Sequence, residues 1–472
     1  MKEFLFKKAD DRIKKVVDLI QSTIKLTKFE GKVNLTGGCI RDLILGREVK
    51  DLDIVVEMES GGMLFATFFA IKNSCYAEGK NPVIYVNSGA AKVQLYNNEE
   101  LKDIVIECVE SKSKVAQKDD LFGYQFSRDE YGLLTQDAKT RDLTINAMYY
   151  NITTEQLQDY NGTAVDDMVS QTLRTPGDPY LTFSKDPIKM MRVIRFATTL
   201  GWDIEKHTWL AMIENAKNIT KAPQESISNE LVKILTAKQP SRGILKMYLC
   251  GLLDKIMPDI YDTTKAYESR NPVVTTFEHT LKMLDMVQPY IEHRLAVLFH
   301  DVGKVVTDFD RTVSPDQFSA EIAAHELKRM KFPNKIIRSV ETAIRYHRVF
   351  KLYKSGSKVP DRKIRKFMSL CGDDLSPTID LMNANNNCCT YDKNPTQVIE
   401  VLTRIEELEQ EEELSNVKLP INGNDIIKEF RVKGPIIGIA LEAVKEAYFD
   451  NPNITKDECL DIVEKKIKTY AV

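Results

Sequence analysis

The hydrophobic pattern changes character once along this 472-residue chain. Between residues 30 and 150, short apolar runs alternate with helical spacing. Val33-Asn34-Leu35 reads as a short strand broken by Gly37-Gly38, and a helix follows through Leu45. Leu52–Val56, Ala91–Tyr96 and Ile104–Val109 read as further strands. From about Asp178 the spacing is helical almost throughout, punctuated by Pro223, Pro240, Pro258 and Pro272. The pattern predicts an α+β protein: a mixed sheet with helices, then an all-helical body. Phe4, Val16, Val17, Ile20 and Ile24 predict a helix over residues 1–25. The polar stretch Lys112–Thr135 reads as a mobile loop. Periodicity lapses near Tyr261–Val274 and near Asn385–Pro395. The expected division is therefore an N-terminal helix (1–25), a head (26–150), a helical neck and body (151–262), a second helical domain (263–395) and a helical tail (396–472). The tail carries an acidic run over Glu406–Glu413, read as a solvated face.

Charge excludes one class of function. The chain holds 66 Lys and Arg against 69 Asp and Glu, so any nucleic-acid contact must use a local basic face. One such stretch is Lys185–Lys246, where eleven Lys and Arg stand against six Asp and Glu. A hydrophobic fraction of 43% is enough for buried cores. No stretch approaches the roughly 20 apolar residues of a membrane span, and MKEFLFKKADD lacks the apolar core of a signal peptide. Eight cysteines without CxxC spacing point to a reducing cytoplasm.

The chemistry concentrates in two places. In the first, Thr36-Gly37-Gly38-Cys39-Ile40-Arg41-Asp42 is followed by Asp51-Leu52-Asp53. Two glycines at a strand end let a ligand approach the backbone, and the next helix points its first N–H groups outward, which makes a phosphate cradle. Asp51 and Asp53 leave one face of a strand and suit Mg²⁺, which prefers oxygen ligands. In strand–turn–helix–strand order these residues resemble the DNA polymerase β-like nucleotidyltransferases. More narrowly they resemble the class II tRNA nucleotidyltransferases (CCA-adding enzymes) and bacterial poly(A) polymerases.

Further motifs are similar to that family. Arg141-Asp142-Leu143-Thr144-Ile145-Asn146-Ala147-Met148 resembles its RRDFTINAM segment, with Thr140 in place of the first Arg. The resemblance implies that Arg141, Asp142 and Asn146 contact ribose and triphosphate. Asp142 and Asn146 share a face if the segment is helical. Asp159, Gly162 and Asp167 resemble a linking motif. Asp186-Pro187-Ile188-Lys189 resembles the start of the helix that reads the incoming base, with Lys189 where the family has Arg. The resemblance implies base selection by Asp186 and Lys189, with Arg192 and Arg195 bracing the helix or meeting phosphate. It also makes Glu107 a candidate third carboxylate; an exposed strand residue is the other reading. The implied activity is template-independent, two-metal transfer of C and A from CTP and ATP to tRNA 3′ ends, with Mg²⁺ as cofactor. A poly(A) polymerase is the near alternative.

The second place is Glu278-His279, His300-Asp301-Val302-Gly303-Lys304, His325 and His347. Imidazole with carboxylate suits a transition metal. His300-Asp301 resembles the HD phosphohydrolase signature. The implied ligands are His279, His300, Asp301, His325 and His347. The position of a closing Asp falls in Leu381–Asn386, which offers amides, with Asp380 a turn away. Either the site holds a metal, or an HD fold is kept with structural histidines. A metal-dependent phosphohydrolase is thus the alternative of another class, and a non-catalytic RNA-binding protein a third.

Overall fold

The computed structural model describes residues 5–7, 9–87, 90–111, 134–268, 271–307, 314–350, 359–388, 395–411 and 419–470. The chain divides into two compact units, Met1–Ala222 and Pro223–Val472.

Among the described residues the first unit is built on a seven-stranded sheet of β1 (Val33–Thr36), β2 (Asp51–Val56), β3 (Val83–Asn87), β4 (Ala90–Gln94), β5 (Val105–Glu110), β6 (Met148–Asn151) and β7 (Gln156–Asp159), with a separate short pair, Thr172–Leu173 beside Asp203–Ile204. The order in the sheet is β3-β4-β5-β2-β1-β6-β7, with β2 and β5 parallel and its other pairs antiparallel. A parallel pair needs a crossover, and the helix Gly61–Lys72 with the β3–β4 hairpin supplies it. Phe65, Ala66, Phe69 and Ala70 of that helix are buried, each large side chain stabilising the fold by about 1.5–3 kcal/mol. The strands expected around residues 33, 52, 91 and 104 all form, and β6 and β7 extend the sheet to Asp159. At the N-terminus the helix covers Asp11–Ile24, capped by Asp10, and buries Val16, Val17, Ile20 and Ile24. The expected loop at Lys112–Thr135 lies almost wholly outside the described residues.

Among the described residues the second unit is helical apart from a hairpin, Tyr267–Glu268 with Asn271–Thr275. Prolines open its helices as the sequence suggested: Pro223 precedes Gln224–Leu235, and Pro240 and Pro258 occupy first-turn positions. Pro272 instead sits in the hairpin. The helices Thr276–Leu284, Ile291–Phe299, Asn334–Tyr346 and Leu375–Cys388 pack on one another. Three later helices, Gly423–Phe430, Ile436–Asp450 and Lys456–Tyr470, enclose a core of Ile426, Ala440, Val444, Cys459 and Val463.

Candidate active site

β1 ends in Thr36, and the helix Gly37–Leu45 begins at once. Gly37 has φ +71°, and a Cβ there would lie 2.7 Å from Asp53 Oδ2. The Gly38 N–H donates to that same oxygen at 3.1 Å. The helix N-terminus thus meets the carboxylate of the second Asp on β2, a favourable match of partial positive and negative charge. Asp53 is half-buried, while Asp51, two residues earlier on the same face, is exposed.

Glu107 on β5 pairs in register with Asp53, and Lys92 on β4 pairs with Glu107. Lys92 and Glu107 form an ion pair. Burial and then the Glu107 charge raise the Asp53 carboxyl above its ordinary value, opposed by Arg141 and the N–H groups of Gly38 and Cys39. A hard cation beside these carboxylates would offset that repulsion, and their oxygens are the ligand type that Mg²⁺ prefers, although the three do not gather within 4.8 Å of one another.

Behind the carboxylates lies a chain of polar contacts. Arg41 Nη1 donates to Asn146 Oδ1 at 2.8 Å, and Asn146 Nδ2 donates to Asp142 Oδ1 at 3.1 Å. Asp142 Oδ2 lies 2.7 Å from Arg192 Nη2. Burial works to raise the Asp142 carboxyl, but Arg192 and the Asn146 bond hold it below the ordinary value. The segment is not α-helical; Thr144–Asn146 is a single 3-10 turn. Asp142 and Asn146 meet nonetheless, and both are buried, since a buried carboxylate needs partners. Here they face each other and the two arginines rather than open space. Arg41 also grips Asp42, at 3.0 and 2.6 Å. Its guanidinium lies 5.0 Å from the Phe196 ring, on which Arg195 stacks at 3.8 Å. Arg141 is anchored by Asp137, whose Oδ2 accepts from Arg141 Nε at 2.9 Å and from the Tyr149 hydroxyl at 2.6 Å.

Asp186 ends the helix Pro179–Lys185, and Pro187 caps the helix Ile188–Leu200. That helix buries Met190, Met191, Val193, Ile194 and Phe196, which leaves Lys189, Arg192 and Arg195 along its other side. Lys189 Nζ donates to the Thr140 carbonyl at 2.7 Å and lies 3.9 Å from Asp186. The two base-reading candidates therefore sit together, beside the residue that replaces the missing Arg.

In the second unit, ligand atoms of His279, His300 and Asp301 lie within 4.8 Å of one another, all three residues buried. This is the one such trio among the described residues. The His347 ring centroid is 5.7 Å from that of His300. His300 Nδ1 donates to the Val297 carbonyl and His347 Nδ1 to the Ile344 carbonyl, each at 2.7 Å. With Nδ1 bonded to a carbonyl, Nε2 is the ring atom that a metal would take; His300 Nε2 lies 3.0 Å from Asp301 Oδ2. His347 Nε2 is buried without a hydrogen bond, and burial pushes its imidazole down to about 4. Burial also works to raise the Asp301 carboxyl, but His300 and Lys304 hold it well below the usual range. Gly303 admits no side chain here, because a Cβ would meet the Pro315 carbonyl at 2.6 Å.

His325 corrects the expected ligand set. Its side chain is 81% exposed and turns to Glu326 at 3.5 Å, because its place on the helix Pro315–Arg329 faces outward. Asp380 is not a substitute ligand either: it accepts from the Gln288 N–H at 3.2 Å and pairs with His293 at 2.7 Å.

Residues 33–174 match the family described as Poly A polymerase head domain. Residues 201–263 match the probable RNA and SrmB-binding site of polymerase A, and residues 276–370 match the HD domain. A mitochondrial CCA tRNA nucleotidyltransferase of Candida glabrata is 25% identical over 93% of this chain and 91% of its own. Poly(A) polymerase I of Haemophilus influenzae is 27% identical over half of each chain. The chain belongs to the tRNA nucleotidyltransferase and poly(A) polymerase family, with an HD domain. Its fold is that of the Bacillus stearothermophilus CCA-adding enzyme solved with CTP, at a TM-score of 0.64 and 18% identity over 98% of this chain and 99% of that one.

Two further groups belong to the site. Asp137 stands four residues before Arg141, near the end of the short helix Leu134–Thr140, a spacing that is a usable signal. Nothing local marks Lys92, because only the register between β4 and β5 brings it to Glu107. No described helix is long and apolar enough to cross a membrane.

Proposed function

We propose that the chain adds C and A to tRNA 3′ ends, transferring nucleotidyl groups from CTP and ATP without a template. The observation that carries this reading is the Gly37–Gly38 turn seated against Asp53, in a chain whose family members include a CCA tRNA nucleotidyltransferase matched over nearly its full length. In this reading the 3′ hydroxyl of the tRNA attacks the α-phosphate in line and pyrophosphate leaves. Asp51, Asp53 and Glu107 are the catalytic carboxylates and would hold Mg²⁺. Bound there, the cation lowers the pKa of the attacking hydroxyl and offsets phosphate charge. Gly37 and Gly38 present the helix N-terminus to the triphosphate. Arg41 and Arg141 add guanidinium donors, each held in place by a carboxylate. Asp142 and Asn146 hold the Arg41 and Arg192 side chains beside the nucleotide, and Arg195 steadies Phe196. Asp186 and Lys189 select the base. The free cysteines suit the reducing cytoplasm.

Primer extension tests this directly, using tRNAs ending before CCA, after C and after CC, with Mg²⁺ and CTP, ATP or both. Growth that stops at CCA is the expected result. A long A tail would make the chain a poly(A) polymerase, and no extension of any primer would overturn the reading. The same assay probes the base-reading pair. Lys is a point charge and Arg a planar fork. Lys189→Arg is expected to change the C-to-A preference by about tenfold or more, the worth of one bidentate base contact. An unchanged preference would remove Lys189 from base selection.

A second reading is favoured by the buried cluster of the HD domain. We propose that His279, His300, Asp301 and His347 hold a transition metal, the Nε2 atoms of the two oriented histidines being its natural donors. Elemental analysis of the purified chain should find about one such ion per chain, lost in Asp301→Ala, while CCA addition persists. Metal-free protein would mark the cluster as structural.

A further inference from the structure

The head carries a cation that transfer chemistry does not call for. Side chains paired in register on neighbouring strands leave the same face. Lys92, Glu107 and Asp53 therefore form a row across β4, β5 and β2. Asp51 leaves that face two residues from Asp53. The Lys92 ammonium is paired with Glu107 and is held charged by that bond, with Asp51 and Asp53 adding to it. Its side chain is 43% exposed, so it is free to swing away into water.

We propose that Lys92 is a resident counter-charge that competes with the divalent cation for Glu107, and so sets how much Mg²⁺ the head requires. This rests on the reading in which Asp51, Asp53 and Glu107 hold that cation. With Lys92 in place, Glu107 is neutralised from the side of β4, and the crowding on Asp53 is eased without metal. A divalent cation must displace an ammonium before Glu107 can turn to it. Lys92 is thus a positioning residue that acts through Glu107.

The test is Mn²⁺ binding to the full chain, read from the electron paramagnetic resonance signal of free Mn²⁺ with no nucleotide present. Binding through the head is the part that Asp53→Asn removes. Lys92→Met is expected to tighten that part by about tenfold, the scale of removing one ammonium a few ångströms from a doubly charged ion near water. Lys92→Arg, which keeps the charge, should bind as the wild type does. In a Glu107→Gln background, Lys92→Met should tighten binding much less. The Mg²⁺ concentration at half-maximal addition should fall in Lys92→Met alone. Unchanged or weaker binding in Lys92→Met would overturn the role of Lys92 and leave the head reading intact. Mn²⁺ binding that Asp53→Asn does not reduce would overturn the head reading itself.

Discussion

Asp53→Asn is expected to lower nucleotide addition by at least about a thousandfold while the chain stays folded, the scale seen when one charge-bearing member of a preorganised site is lost. The substitution keeps an acceptor oxygen for the Gly38 N–H and removes a negative charge beside Glu107. Burial and that neighbour make the ionised form of Asp53 unfavourable in the folded chain. The thermal midpoint in metal-free buffer should therefore stay level or rise slightly. Activity and melting curves on one preparation separate the two effects. Near wild-type addition by a well-folded Asn variant would sink the assignment of Asp53, and a collapsed midpoint would mark it as a structural residue.

Gly37→Ala should do comparable damage by a different route. The residue lies at φ +71°, where a side chain costs roughly 1–2 kcal/mol. The new methyl would also stand 2.7 Å from Asp53 Oδ2, so either the turn or the carboxylate must move. A shift near 1 Å at a reacting group costs about a hundredfold in rate. We expect about a hundredfold loss of addition with a stability loss of about 2 kcal/mol. Gly38→Ala is the control for strain and stability, since Gly38 also borders the proposed triphosphate site. Its Cβ would meet Arg41 Nη2 at 3.5 Å and Asp53 Oδ2 at 3.8 Å, both ordinary contacts. If the two variants lose equal stability, the close approach of Gly37 to Asp53 is not what the turn is for.

Legibility followed sequence distance. The turn Gly37-Gly38 and the pair Asp51-x-Asp53 could be read directly, because strand alternation and helix entry are local. His279, His300 and Asp301 were found by residue type, and the fold brings them together. His325 has the same residue type and faces outward, because residue type does not say which side of a helix is buried. The links between Asp142 and Arg192, and between Lys189 and the Thr140 carbonyl, join the head segment to a helix about 50 residues further on. Neither link has a periodicity that could announce it.

The order of strands and helices, the turn with its carboxylate pair, and the departures at Thr140 and Lys189 were determined by the sequence alone, since each depends on neighbours within a few residues. The tertiary structure alone decided which charges meet. It set Lys92 on Glu107, turned Asp142 and Asn146 inward, anchored Arg141 on Asp137, and gave Asp380 to His293 rather than to the cluster of His279, His300 and Asp301. Those pairings depend on strand register and helix packing, because a charge taken from water needs a partner within a few ångströms, wherever in the chain that partner lies.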